Sequence, residues 1–451
     1  MEICLQAGFG RQNITPDYAV PLAGYGATHK RMSTNVLSEI FVSCIAFTWG
    51  EEKLLLFSQD LIRTNQNWIG TIRQRVSDRT GVAPERIHVC STHTHSAPDV
   101  YSGLECIKDY FENLYLRALE SAATEALADL APAQLYGTDT RTEGMNFVRH
   151  YLLENGTYAG PNFGDFKSAP IAGHAAPNDP GIRIVKLQRQ EKPPILMVNF
   201  QVHPTATGGS KRTDLSSDFI GVVRDNIEAS TGMYFAYFTG SAGNQVMGTQ
   251  IPAERDHMTA DQYRTFGGGN YLIYGWRLAQ YIRNALPQLQ ELPSDGISST
   301  TVELEYPLNR DDLHLVEEAK EMRRIWSEEG MAAAKAYGVP KGISSVYHAG
   351  AILSRQDRAE TGTMELGAVR IGDMSFVTMP FESFCAQGEY VKKHSPFPMT
   401  MIFSCANGGW NYVPTREAYV YGCYESYTSY FAKGAGEAVT EKLTEMLQNL
   451  K

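Results

Sequence analysis

Short apolar runs recur along the chain, each stopped by a polar or glycine-bearing turn. Runs of this length, bounded by turn residues, read as buried β-strands. Phe41 to Trp49 and Lys53 to Leu61 predict two strands about a tight turn at Gly50-Glu51-Glu52. Ile182 to Gln188 and Ile195 to Phe200 flank the turn Lys192-Pro193-Pro194, and Met233 to Phe238 is an aromatic strand. Thr363 to Ile371 and Ser375 to Met379 form a hairpin around Gly372-Asp373, followed by a strand over Met399 to Ser404. Between these lie stretches of helical spacing. They cover Trp68 to Thr80, closed by Gly81, and Asp109 to Leu130, stopped before Pro132. Further helices are predicted over Ser217 to Ser230, Tyr271 to Ala285, Leu313 to Ser327 and Ser429 to Leu450.

This alternation predicts an α/β architecture of mixed sheets with flanking helices. No linker or internal repeat divides the chain, so residues 1–451 read as one unit. Residues 144–180 lack periodicity but carry Phe147, Tyr151, Tyr158, Phe163 and Phe166. A loop that long and that aromatic is expected to form the wall or lid of a pocket. The segment 248–270, with Gly267-Gly268-Gly269, is a second candidate wall.

Composition narrows the function classes. The chain is 43% hydrophobic and 20% charged, as a globular protein with a sizeable core should be. A net charge of −10 argues against nucleic acid or an anionic membrane as partner. The basic pairs Arg323-Arg324 and Lys392-Lys393 read as solvated helix faces. Met1 to Gly10 lacks the basic start and apolar run of a signal, and no apolar stretch is long enough to cross a bilayer. A cytoplasmic protein is expected. The seven cysteines are scattered without a CxxC pair, and Cys44, Cys90, Cys385 and Cys405 lie in strand-like contexts. Buried free thiols fit better than disulfides.

The candidate chemistry sits at predicted strand ends. Arg86 to Cys90 runs into Thr92-His93-Thr94-His95, and Ile195 to Phe200 into His203-Pro204. Met233 to Phe238 runs into Gly240-Ser241-Ala242-Gly243, Ser375 to Met379 into Pro380-Phe381-Glu382, and Met399 to Ser404 into Asn407 to Tyr412. Ligand sites in α/β proteins gather beyond the carboxyl ends of strands. Imidazoles and one carboxylate, with a position left open, make the donor set of a catalytic zinc site. Each turn also has a plainer reading. An isolated His-x-His is more often a pair of satisfied loop residues, His203 could cap its strand, and Glu382 could face a helix dipole.

The order of these turns resembles the catalytic domain of the neutral/alkaline non-lysosomal ceramidase family. Gly8-Phe9-Gly10-Arg11-Gln12-Asn13-Ile14-Thr15-Pro16 with Leu22-Ala23-Gly24-Tyr25-Gly26 is similar to its opening signature, and Ser91-Thr92-His93-Thr94-His95-Ser96 to its histidine motif. Asn199-Phe200-Gln201-Val202-His203-Pro204-Thr205, with Ser217-Asp218 beyond it, resembles the second histidine motif. Pro380-Phe381-Glu382 stands where the family has Pro-Gly-Glu, and Tyr412-Val413-Pro414-Thr415 through Tyr424-Glu425 resembles its tyrosine motif. The resemblance implies that His93, His203, Glu382 and Tyr412 ligate one zinc ion. It implies that His95 stands beside the metal to contact substrate or relay a proton, that Arg149 faces the site, and that Tyr424 stabilises an oxyanion. The family's C-terminal β-sandwich domain has no counterpart here.

One departure changes the expected mechanism. The family's nucleophilic serine lies in a Gly-Asp-Val-Ser-Pro-Asn turn, whereas this chain has Gly243-Asn244-Gln245-Val246-Met247-Gly248. Val246 in the serine's place cannot attack, and Ser241 lies five residues earlier. The expected activity is therefore hydrolysis of an amide or related acyl bond of a small-molecule substrate by metal-activated water, with a substrate other than ceramide. The Gly240-to-Gly243 turn is a candidate source of backbone N–H groups for the oxyanion. Two alternatives stand beside this reading: hydrolysis of a small polar ester or lactone, and a non-catalytic metal- or ligand-binding role. The sequence leaves the oligomeric state open.

Overall fold

The computed structural model describes residues 3–25, 31–209, 212–255 and 271–451. Gly26 and the triple glycine 267–269 lie outside them. The chain is α/β, built on two mixed sheets packed face to face with helices on their outer faces.

The larger sheet has nine strands. From one edge the order is Tyr234–Thr239, Ile195–Phe200, Gly181–Arg189, Ala131–Arg141, Leu5–Asn13, Phe41–Trp49, Glu52–Gln59 and Ile87–Ser91. Gln290–Leu292 pairs separately with Ala131–Arg141. The two rim pairings are parallel and the others antiparallel. The smaller sheet orders Ile297–Pro307, Thr361–Ile371, Met374–Thr378 and Met399–Phe403, and its last pair is also parallel. His93, His203, Ser241 and Glu382 each follow a strand of one of these parallel pairs.

Many of these strands are covered on both faces, which is why they read as unbroken apolar runs rather than alternating ones. Every residue of Ile195–Phe200 and Met399–Phe403 is buried. Between the sheets, Phe403 stacks on Phe238 at 4.4 Å and on Phe376 at 4.8 Å. Truncating such a ring to alanine costs about 3–5 kcal/mol. Ile69–Thr80 and Leu116–Ala128 cover one half of the large sheet's outer face, and Asp218–Thr231 and Tyr271–Ala285 the other. Cys385–His394 and Ala435–Asn449 cover the small sheet. A Cβ at Gly8 would lie 1.9 Å from the Ala126 carbonyl oxygen, so glycine lets the first strand sit directly on a helix.

Several elements depart from the sequence pattern. The helix expected from Asp109 begins at Glu105 and runs to Ala128 through one π-helical turn, Tyr110–Tyr115. That turn carries the rings of Tyr110, Phe111 and Tyr115, with Trp68 stacked on Phe111 at 4.2 Å. Pro132, read as a helix stop, lies inside the strand Ala131–Arg141. The last helix starts at Ala435 rather than Ser429, after Gly434 at φ +99°. Val316–Glu329, Met331–Gly338 and Val346–Arg355 share a separate apolar cluster that includes Met322, Ile343 and Ile352; the last two of these helices were missed.

The 144–180 loop holds Phe147–Val148, Tyr151–Leu153, Tyr158–Ala159 and Ile171–His174, the last three forming a small sheet. It lines a cavity of about 840 Å³ with Asn146, Val148, His174 and Glu254. The seven cysteines are free. Cys385 opens a helix rather than lying in a strand. Lys392 leaves the solvated face expected of it and pairs with the buried Asp179. Among the described residues no helix is long and apolar enough to cross a membrane.

Candidate metal centre

His93 follows Ile87–Ser91 in a left-handed conformation, φ +68°. A non-glycine residue there costs about 1–3 kcal/mol and persists only where its surroundings hold it. Its backbone N–H donates to the Leu61 carbonyl at 2.9 Å, and its Nδ1 donates to the Ile62 carbonyl at 2.8 Å. Cys405, also left-handed at φ +54°, brings its Sγ to 3.4 Å from the same Nδ1. His203 follows Ile195–Phe200, and its Nδ1 faces the carbonyls of Ala242 at 2.8 Å and Gln245 at 3.1 Å. A carbonyl only accepts, so each ring carries a proton on Nδ1 and turns its Nε2 inward.

Both Nε2 atoms face one oxygen. Glu382 Oε2 is 3.2 Å from His93 Nε2 and 3.0 Å from His203 Nε2. Burial works against ionisation of Glu382, but His93 and His203 hold its carboxyl well below the usual range. Burial opposes protonation of His93, but Cys405 and Glu382 raise its imidazole well above its ordinary value, so the gap between these atoms is a place for positive charge. Donors about 2.0–2.1 Å from a tetrahedral zinc stand about 3.3–3.4 Å apart, which is near the spacing found. The residues present therefore fit a zinc-class cation. Glu382 does not begin a helix; it bridges Tyr412 in a short parallel pair, three residues before Cys385–His394.

His95 also falls at donor spacing, its Nε2 3.4 Å from His93 Nε2. His93, His95 and His203 form a buried cluster able to hold a metal ion. Burial, then the neighbouring His93 and His203, push His95 well below its ordinary value, so it is neutral. Its Nδ1 is buried without a hydrogen-bond partner among the described residues. That nitrogen lies against Gly24, where φ is +102° and a Cβ would meet it at 2.2 Å. Tyr25 sits edge-on to the His95 ring at 5.3 Å. Arg31 ties this opening loop down by donating to the carbonyls of Ala23 at 2.7 Å and His95 at 3.4 Å. These N-terminal residues were legible in sequence only as a signature, without a role.

Tyr412 lies beside the cluster, its ring 6.4 Å from that of His203. Tyr424 packs edge-on against it at 5.7 Å. Burial raises both phenols, which stay protonated at neutral pH. The Arg149 guanidinium lies over the Tyr412 ring at 5.5 Å. Arg149 is buried, and its Nε donates to Glu425 Oε1 at 2.6 Å. Glu425 Oε2 in turn meets His150 Nε2 at 2.7 Å, and His150 Nδ1 meets the Tyr421 hydroxyl at 2.8 Å. His150, Cys423 and Glu425 form a second cluster of metal-ligating types. The guanidinium already neutralises that carboxylate, so we read this cluster as an anchor for Arg149. Its only sequence signal was a lone carboxylate among small and aromatic residues in Cys423 to Thr428.

Much of the 240s turn is engaged within the fold. The Gly243 N–H donates to the Ser383 carbonyl at 2.8 Å and the Gly240 N–H to the Phe200 carbonyl at 3.0 Å. Neither is free for an oxyanion. Ser241 is buried, its hydroxyl accepting from Ser383 at 2.9 Å, and Ser383 in turn contacts Ser404. Val246 pairs with Phe147 in a two-residue ladder.

The fold is that of the neutral ceramidases. The crystal structure of neutral ceramidase from Pseudomonas aeruginosa matches with a TM-score of 0.74 at 15% identity, covering 100% of this chain and 75% of that one. A ceramidase complexed with C2 matches with a TM-score of 0.72 at 16% identity, with the same coverage. No family model matches the sequence, and no curated protein does.

Proposed function

We propose that this protein is a zinc-dependent hydrolase of an amide or related acyl bond in a small molecule other than ceramide. One observation carries the reading: the Nε2 atoms of His93 and His203 both face Glu382 Oε2, at 3.2 and 3.0 Å. His93, His203 and Glu382 would hold the ion, with Tyr412 completing the set. When bound, the ion supplies Lewis acidity toward a carbonyl oxygen and brings water to a reactive ionisation near neutral pH.

The chain's own residues supply the remainder. His95 is assigned to proton transfer between water and the leaving amine on its position, with its Nε2 3.4 Å from His93 Nε2; burial and its histidine neighbours make it a weak base. Tyr424, protonated, and Arg149, permanently charged, donate toward the developing oxyanion; one such donor is worth about 10²–10³ in rate. Val246 removes the serine route, and Ser241 is engaged elsewhere.

The test is metal analysis with turnover of N-acyl and ester substrates. Wild type should bind about one zinc-class ion, and His93→Ala and Glu382→Ala should lose metal and turnover together. Wild-type protein that stays metal-free after incubation with zinc would end this reading. Metal binding without turnover on any acyl substrate would favour the non-catalytic alternative.

A further inference from the structure

Arg63 is tied to the candidate metal centre from both sides. Its neighbour Ile62 gives the carbonyl that orients His93. Its own Nη1 donates to Asn411 Oδ1 at 2.8 Å, and Asn411 gives the carbonyl that receives the Glu382 N–H at 3.3 Å. Asn411 also precedes Tyr412 in the chain. The guanidinium lies over the Tyr101 ring at 4.7 Å; Arg63 is half-buried and Tyr101 is 39% exposed.

Arg63 has no carboxylate at ion-pair distance among the described residues; burial opposes its charge, and Tyr101, Glu382 and Asp99 support it from further off. Arg149 has Glu425 and Arg224 has Asp60, at ion-pair distance. Among the described residues the Arg63 Nε is buried without a hydrogen-bond partner. A buried N–H left unused costs free energy, and an anion at this guanidinium would supply the close partner it lacks. Its fork of donors matches a carboxylate, which it can hold through two N–H groups at once.

We propose that Arg63 recognises a carboxylate on the substrate, which makes the preferred substrate an N-acyl amino acid or a close analogue rather than a neutral amide. This deepens the hydrolytic reading and assumes the same site. A carboxylate seated on Arg63 would orient the acyl bond of such a molecule toward the histidine cluster.

The test compares N-acetylglycine with N-acetylglycinamide, which differ only in the charge at the end contacting Arg63. Both are titrated calorimetrically into metal-loaded wild type and Arg63→Gln, with metal content checked in each. Wild type should bind the carboxylate about tenfold or more tightly than the amide, and Arg63→Gln should bring the two within about twofold. Asn411→Ala, which frees the guanidinium from its positioning bond, should shrink the preference without abolishing it. Equal affinities in wild type, no binding of either probe, or a preference that survives Arg63→Gln would overturn the proposal. The last outcome would assign the carboxylate to the metal. The titration repeated on metal-free protein separates the two readings. An Arg63-dependent preference there, in a protein that hydrolyses no acyl substrate, would sink the hydrolytic reading and leave this one standing.

Discussion

Arg149 and Glu425, 276 residues apart in sequence, meet as a buried ion pair, with Arg149 Nε donating to Glu425 Oε1 at 2.6 Å. Arg149 also donates to the Gly243 carbonyl at 2.9 Å, so the guanidinium is held from two directions beneath Tyr412. A side chain fixed in this way needs no reorganisation when charge develops beside it.

Removing one partner should therefore be costly. Glu425→Gln is expected to destabilise the fold by about 3–5 kcal/mol, because it leaves a buried cation unpaired. Denaturant unfolding measures this. The double variant Arg149→Met with Glu425→Leu should recover much of the loss while remaining poorly active. A double variant no more stable than Glu425→Gln would count against the pairing.

The same pair predicts an acid limb. Burial opposes ionisation of Glu425, but Arg149 and His150 hold its folded pKa down to about 2, below an unfolded value of about 4.3. Across that window the unfolded chain binds the extra proton, so this group's contribution is full above about pH 4.3 and fades toward pH 2. The stability difference between wild type and Glu425→Gln should shrink over that interval. A difference flat from pH 5 to pH 2.5 would contradict it.

His95→Gln separates metal binding from proton transfer. If His95 relays a proton, the variant should retain its metal and lose about 10²–10⁴ in turnover. Loss of metal as well would make His95 a ligand, as its 3.4 Å spacing from His93 also permits.

Gly24→Ala tests the opening loop. The added methyl would meet His95 Nδ1 at 2.2 Å, at a φ of +102° that alanine disfavours. Stability should fall by about 1 kcal/mol or more, and turnover should fall with it. Wild-type turnover in Gly24→Ala would mean that this loop does not shape His95.

Ser241→Ala should leave turnover within a few-fold of wild type and cost about 1 kcal/mol for the lost hydrogen bond with Ser383. Complete loss of activity would restore a serine mechanism.

The histidine and glutamate turns were legible because strands buried on both faces must be apolar, so the first polar residues beyond them stand out. Ile195 to Phe200 followed by His203 shows this, and so does Met374–Thr378 followed by Glu382. Strands with mixed pattern were harder. Ala131–Arg141 alternates buried and exposed residues and contains Pro132, and it passed unnoticed. Glu425, His150, Arg31 and Arg63 carried no periodic signal, since a charge is informative only once its burial is known.

Local pattern alone determined the α/β class, most strand cores, and which residue types stand at their ends. Backbone propensity and apolar burial act over a few residues and leave their imprint in linear order. Tertiary structure decided the rest. It set the Nδ1 protons of His93 and His203, gave Arg149 a counter-ion and left Arg63 with none at ion-pair distance among the described residues, and turned Ser241 and the Gly243 N–H away from the chemistry. Each of these depends on which distant carbonyl or carboxylate arrives within hydrogen-bonding range, and only sheet order and packing set that.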